Sequence, residues 1–382
     1  MRNSIANASP QSATRQGVGP SGKKLTRVNR FDVYALRIIL LGAVLLPVIV
    51  VGSLLLQSFA SIQASGKVGK TMFTYNGPST GGVYAASWSP LGDRVASASS
   101  NVQIWDALTG AHTVTLNTKG AAATALAWSP DGKYLVTGSS EIAIWDAQSG
   151  NQKFVYTTQA QKHNSHGTLH VSALAWSPDH TMIATAYTYL GEAKNAGTQL
   201  ASWVDIWNAT TGKTLFTYRG HKKDVLSIAW SSDSKRIASA GADGVLAVWD
   251  ATKGSNVIKY ATAGKVTSVA WSPDDKFLVS ASNSVQIWNV KNANRPVGVL
   301  DTHAGKTTLV AWSPDGNFIA TANTSVHIWN AGSGNEVFNY TEHTNPISSL
   351  SWSPDAKYLA SSDNAPTGTT NGPGVIKIWQ AS

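Results

Sequence analysis

The chain has 382 residues, 15 tryptophans, 33 glycines and no cysteine, and only 13% of its residues are charged. The lack of cysteine excludes disulfides, thiolate metal sites and a cysteine nucleophile, and many aromatics with few charges exclude a largely disordered chain. A net charge of +9 invites a nucleic-acid reading, but +6 of it sits in residues 1–37, where Arg2, Arg15, Lys23, Lys24, Arg27, Arg30 and Arg37 face Asp32 alone. The rest is nearly neutral and offers no basic stripe for a folded face, so no nucleic-acid partner is expected.

The tail 1–37 is rich in Ser, Asn, Gln and Gly and reads as disordered. Residues 38–56, IILLGAVLLPVIVVGSLLL, follow without a charge. Such a run spans roughly 28 Å as a helix, about the hydrocarbon thickness of a bilayer, and Gly42 and Pro47 are tolerated in membrane helices. It is expected to be a transmembrane signal anchor. The rival reading is a cleavable signal peptide cut after Ala60 or Ala64, but the apolar run exceeds the usual length of such a region. In both cases the positive-inside rule keeps the basic flank cytoplasmic and places the remainder outside. The expectation is thus a single-pass cell-membrane protein with a stalk at 57–70 and a folded part at 71–382.

That folded part is one motif repeated seven times. Trp88, Trp128, Trp176, Trp230, Trp271, Trp312 and Trp352 sit in segments like ALAWSPDGK, at a spacing near 40 residues. Trp105, Trp145, Trp207, Trp249, Trp288, Trp329 and Trp379 end segments like VQIWD, which leaves only Trp203 unassigned. A period of this kind marks a repeat array. Each unit reads as four short strands, cleanest in TLFTY, DVLSIAW, KRIASAG and VLAVWD between Thr214 and Asp250. Ser-Pro-Asp-Gly-Lys supplies one tight turn, with Pro presetting φ and Gly taking the left-handed position; Asp/Asn-Ala-x-x-Gly supplies another.

These residues resemble the WD40 repeat family, over residues 71–382. The resemblance implies an all-β fold, a seven-bladed β-propeller of four-stranded blades. It also implies a buried tetrad of Asp, His, Ser/Thr and Trp, which Asp243, His221, Ser239 and Trp249 match in a single copy. His303 and His343 share the histidine's offset. The segment TMFTYN (71–76) is an outer strand without a blade, and the last repeat lacks its outer strand, so the two should pair and close the ring.

Three connections are long: 157–170, 187–203 and 363–374. In such a propeller all three open on one face, which reads as a binding surface. The first holds Lys162, His163, His166 and His170; the histidines read either as a metal cluster or as a mimic of the family's turn histidine, with no metal expected. The second holds Tyr187, Tyr189, Glu192, Lys194 and Trp203, where exposed aromatics beside charge suit an interface centre, while Trp203 could equally start an extended strand. There is no GxSxG elbow, P-loop or HExxH and no cofactor motif. The function expected is a membrane-anchored extracytoplasmic platform for a protein, peptide or glycan, without catalysis of its own. The alternative is an exported propeller hydrolase or lyase with acidic residues in the central channel. The arrangement resembles bacterial proteins that place WD40 propellers behind a membrane segment, and an exported domain without cysteine agrees with that origin.

Overall fold

The computed structural model describes residues 67–76, 82–158, 161, 168–191, 199–300, 307–364 and 374–382. The tail, the apolar run 38–56 and the stalk up to residue 66 lie outside the described residues. No helix among the described residues is long and apolar enough to cross a membrane. The chain divides into Met1–Ser65 and Gly66–Ser382, and the description below concerns the second unit.

Its strands are short because turn residues recur every few positions. They run as β1 (Thr71–Asn76), then β2 (Ala85–Trp88), β3 (Arg94–Ala98), β4 (Val102–Asp106) and β5 (Val114–Leu116) as blade one. Blade two is β6 (Ala125–Trp128), β7 (Tyr134–Gly138), β8 (Ile142–Asp146) and β9 (Gln152–Tyr156). Blade three is β10 (Thr168–Trp176), β11 (Met182–Gly191), β12 (Gln199–Asn208) and β13 (Thr214–Tyr218). Blade four is β14 (Val225–Trp230), β15 (Arg236–Gly241), β16 (Val245–Asp250) and β17 (Ile258–Ala261). Blade five is β18 (Ser268–Trp271), β19 (Phe277–Ala281), β20 (Val285–Asn289) and β21 (Gly298–Leu300). Blade six is β22 (Leu309–Trp312), β23 (Phe318–Ala322), β24 (Val326–Asn330) and β25 (Glu336–Tyr340). Blade seven is β26 (Ile347–Trp352), β27 (Tyr358–Asp363) and β28 (Val375–Gln380), completed by β1.

Each blade is an antiparallel sheet whose first strand is innermost, and blade seven has the order β26-β27-β28-β1. The connectivity fixes two faces. First-to-second and third-to-outer turns lie on one face, called lower here. Second-to-third turns and blade-to-blade connections lie on the upper face.

The core is the set of seams between neighbouring blades. In every blade the third-strand indole donates to a second-strand hydroxyl: Trp105 to Ser97, Trp145 to Thr137, Trp207 to Thr185, Trp249 to Ser239, Trp288 to Ser280, Trp329 to Thr321 and Trp379 to Ser361. A buried N–H therefore keeps a partner while the ring fills the seam. An outer-strand tyrosine of one blade stacks on that ring in the next: Tyr156 on Trp207 at 4.3 Å, Tyr218 on Trp249 at 4.4 Å and Tyr340 on Trp379 at 4.2 Å. Four inner-strand indoles reach back across the seam, as Trp128 does to the Ser87 carbonyl and Trp271 to that of Ala229.

The lower turns obey local chemistry. Ser Oγ donates to the Asp two residues on, as in Ser129–Asp131 at 2.6 Å and Ser272–Asp274 at 2.6 Å. The expected left-handed glycine occurs at Gly92, Gly132 and Gly316, but His180, Ser234, Asp275 and Ala356 adopt the same positive φ in the other four blades. There the Ser–Asp turn and flanking strands impose a conformation the residue itself does not favour.

β1 pairs with β28 from Thr71↔Trp379 to Asn76↔Val375. The closure extends beyond the strands. Gly69 N–H donates to Gln380 O at 2.7 Å and Gln380 N–H to Lys70 O at 3.0 Å, reproducing Gly212 N–H to Asn208 O at 2.9 Å and Asn208 N–H to Lys213 O at 2.9 Å. Lys67–Lys70 are therefore half of a propeller turn rather than the end of a stalk, and the expected stalk boundary at residue 70 is corrected on that ground.

Candidate interaction face

The upper face is uneven. In blade four the second and third strands pair from Arg236↔Asp250 to Ala240↔Leu246. In blade three the equivalent hairpin continues past Ala186↔Val204 through Tyr187↔Trp203, Thr188↔Ser202, Tyr189↔Ala201 and Leu190↔Leu200 to Gly191↔Gln199. The extra pairs raise it by roughly 16 Å at the ordinary rise of a strand. β10 follows it up, with Thr168↔Leu190 and Leu169↔Tyr189. The segment read as loop 187–203 is thus largely strand, because its β-rich alternation continues the blade.

This alternation overturns part of the expected site. Tyr187 points inward, is fully buried, and donates its hydroxyl to Asp205 Oδ2 at 3.0 Å. It is a core residue, not an exposed anchor. Trp203 is half-buried, lies edge-on to Tyr187 at 6.1 Å, and carries the Arg219 guanidinium over its ring at 4.4 Å. It belongs to the extended β12, the second of the two readings open in the sequence. Tyr189 lies in β11 opposite Ala201. Lys162, His163, His166, Glu192 and Lys194 lie outside the described residues. His170 is exposed in β10, and no group of His, Cys, Asp or Glu among the described residues could hold a metal ion.

The root of the hairpin is braced on both sides. Asp205 is fully buried and accepts from Tyr187, from Tyr156 of blade two at 3.0 Å and from Thr217 at 2.7 Å. Burial, then the neighbouring Asp205 charge, pushes the Tyr156 phenol upward in pKa, so it stays a donor. On the blade-four side Thr188 Oγ1 donates to Asp224 at 2.9 Å and Val225 N–H to Ser202 Oγ at 2.9 Å. The hairpin is therefore a rigid projection at its base. No sequence pattern singled out Asp205, since it stands in the ordinary WVDIW strand motif; only the meeting of blades two and three assembles its donors.

His221, Ser239, Asp243 and Trp249 come together. His221 Nδ1 donates to Asp243 Oδ1 at 3.1 Å, Nε2 meets Ser239 Oγ at 2.9 Å, and Trp249 donates to that oxygen at 3.1 Å. Burial alone would raise the Asp243 carboxyl, but the Lys222 N–H, His221 and the Val245 N–H together hold it below the ordinary value. The side chains of His221 and Asp243 are only 1% and 5% exposed, which suits a structural role.

Blade seven holds a second tetrad, against the expectation of one. His343 Nδ1 donates to Asp363 Oδ2 at 2.8 Å, Nε2 meets Ser361 Oγ at 2.7 Å, and Trp379 donates to Ser361 at 3.0 Å. Asp363, the first residue of the third long connection, instead ends β27, is fully buried, and accepts Val375 N–H at 3.0 Å. A signal was present: Ser361 follows His343 by 18 residues, as Ser239 follows His221. The insertion after Asp363 displaced Trp379 and hid it. Residues 365–373 of that connection lie outside the described residues.

The model described as IFT122 first beta-propeller matches residues 194–370. The model described as anaphase-promoting complex subunit 4 WD40 domain matches residues 86–179. No curated protein matches the chain. With seven closed four-stranded blades carrying the repeat tryptophans, the two matches support a WD40-type β-propeller.

Proposed function

We propose that this chain is a membrane-anchored, extracytoplasmic interaction platform that holds a protein partner on its upper face without catalysing a reaction. The observation that carries this reading is the blade-three hairpin, which extends well past its blade-four counterpart and is braced at its root by Asp205 and Asp224. A projection on a rigid scaffold is a common way to present a binding surface. One of the matching models describes a subunit of an assembly, which agrees with a platform role. The anchor rests on the apolar run 38–56 and on the charge asymmetry of the tail before it. The seven inner strands carry no Asp or Glu, so a carboxylate pair for the enzyme alternative would have to come from connecting turns.

Replacing residues 188–202 by a two-residue Asn-Gly turn tests the platform. The shortened chain should fold and lose the partner captured by the full chain; undiminished capture would overturn the proposed face. Protease added to intact cells tests the topology separately. It should digest the propeller and spare the tail, and a protected propeller would refute an extracytoplasmic location.

A further inference from the structure

The seam between blades five and six lacks a ring that fills four of its counterparts, and it lacks the cross-seam indole bond that four of them carry. At four seams an outer-strand phenylalanine lies against a turn glycine of the next blade, so closely that a Cβ there would overlap the ring: Phe73 on Gly110, Phe154 on Gly212, Phe216 on Gly254 and Phe338 on Gly69. In β21 that register position, opposite Ile287, is Gly298. Next door, the nearest group to a Cβ on Gly334 is Leu300 Cδ2 at 3.7 Å. The second difference is the hydrogen bond of an indole. Trp128, Trp230, Trp271 and Trp352 each donate across their seam to the preceding inner strand. Trp312 turns instead to its own turn and donates to Gly316 O at 3.1 Å. Trp176 does the same at the seam of blades two and three, but there Phe154 still covers Gly212.

The result is a cleft of about 700 Å³ on the lower face. Phe277, Ile287, Leu300 and Trp312 give it apolar walls, and Asp274 and Asp315 stand at its rim. Asp274 pairs with Lys276 at 2.8 Å, whereas Asp315 is held by Ser313 and Asn317 and has no ion pair among the described residues. Val297 and Val299 beside the mouth are 57% and 58% exposed, so the apolar surface continues beyond the space one ring would fill.

We propose that this cleft receives an aromatic side chain, flanked by lysine or arginine, from a peptide segment of a partner protein. The ring would occupy the place that a phenylalanine takes at four other seams, the cation would meet the Asp315 carboxylate, and the flanking residues would cover Val297 and Val299. The volume and the open apolar margin fit a segment better than a free small aromatic. This surface is on the face opposite the blade-three hairpin and does not depend on the role proposed for that hairpin.

The test uses the full chain in detergent micelles and a fluorescein-labelled peptide, Lys-Thr-Leu-Phe-Thr-Tyr-Arg, the sequence of residues 213–219, read by fluorescence polarisation. Saturable binding is expected, weakened roughly tenfold or more when the peptide's Phe is replaced by Ala and about threefold by Asp315→Asn in the protein. Gly298→Phe should abolish it by filling the cleft. Gly298 has no left-handed φ, and a Cβ there would meet Ile287 at an ordinary 3.5 Å, so this variant should melt at or above the wild-type temperature. If it fails to fold, the peptide substitution and Asp315→Asn still decide. Absent binding, or binding indifferent to the peptide's Phe and to Asp315→Asn, would overturn the proposal, as would binding unchanged in a folded Gly298→Phe variant. Phenethylamine binding without peptide binding would mark a small-molecule site and equally overturn it.

Discussion

Gly69 N–H donates to the carbonyl of Gln380 at 2.7 Å, so one propeller turn is assembled from two distant parts of the chain. Without β1 blade seven would end as an open sheet, with the backbone edge of β28 unpaired and the Phe73 and Tyr75 rings lost from their packing on Trp105. Deleting Lys67–Asn76 should therefore cost on the order of 5 kcal/mol or more, or cause aggregation. Thermal unfolding followed by circular dichroism checks this, and an unchanged transition would refute closure as a source of stability.

Gly69 itself has φ of +85°, and a Cβ there would run into the Phe338 ring. Gly69→Ala should destabilise by about 2 kcal/mol, combining left-handed strain with displacement of the ring. Phe338→Ala should remove part of the penalty in the double variant. Strictly additive losses in urea unfolding would show that the ring is not involved.

The two tetrads should differ. His343 and Asp363 are both fully inaccessible at the side chain, whereas His221 and Asp243 retain slight exposure. Asp363→Ala should cost roughly 3–5 kcal/mol because it strands His343 and the Val375 N–H inside the protein. Asp243→Ala should cost less. Equal losses in denaturant unfolding would contradict the burial argument.

Asp243 also predicts a pH dependence. Its folded pKa is depressed below the ordinary carboxylate value of 3.8, so its contribution is present above the unfolded pKa and is lost as pH falls through the folded one. Asp243→Asn should melt below the wild type at pH 6, and the gap should narrow below about pH 4. A gap that widens on acidification would reverse the assigned sign.

At the base of the hairpin, Tyr156→Phe and Tyr187→Phe should each cost about 1 kcal/mol, the net worth of a buried hydrogen bond. In an Asp205→Ala background those costs should shrink, since the shared acceptor is gone. A double-mutant cycle measures this coupling; zero coupling would mean that Asp205 does not organise the hairpin root.

The fold and much of its stabilisation were legible in the residues, because they are set by local pattern repeated seven times. Tryptophans at fixed spacing, Ser-Pro-Asp turns and alternating strands specify a blade, and an outer strand without a blade specifies where the ring closes. The tetrad of blade four was readable through the resemblance to WD40 repeats, whose Asp, His, Ser/Thr and Trp pattern His221, Ser239, Asp243 and Trp249 match. Tertiary structure decided what depends on meetings between blades. Alternation could not tell whether Tyr187 faced solvent or core, since that depends on how far the hairpin extends and on Asp205, whose donors come from two blades. The tetrad of blade seven was hidden because an insertion changed the sequence distance between Asp363 and Trp379 without changing their distance in space. Gly298 looked like an ordinary strand residue, and only the phenylalanines at equivalent seams reveal that a ring is missing there.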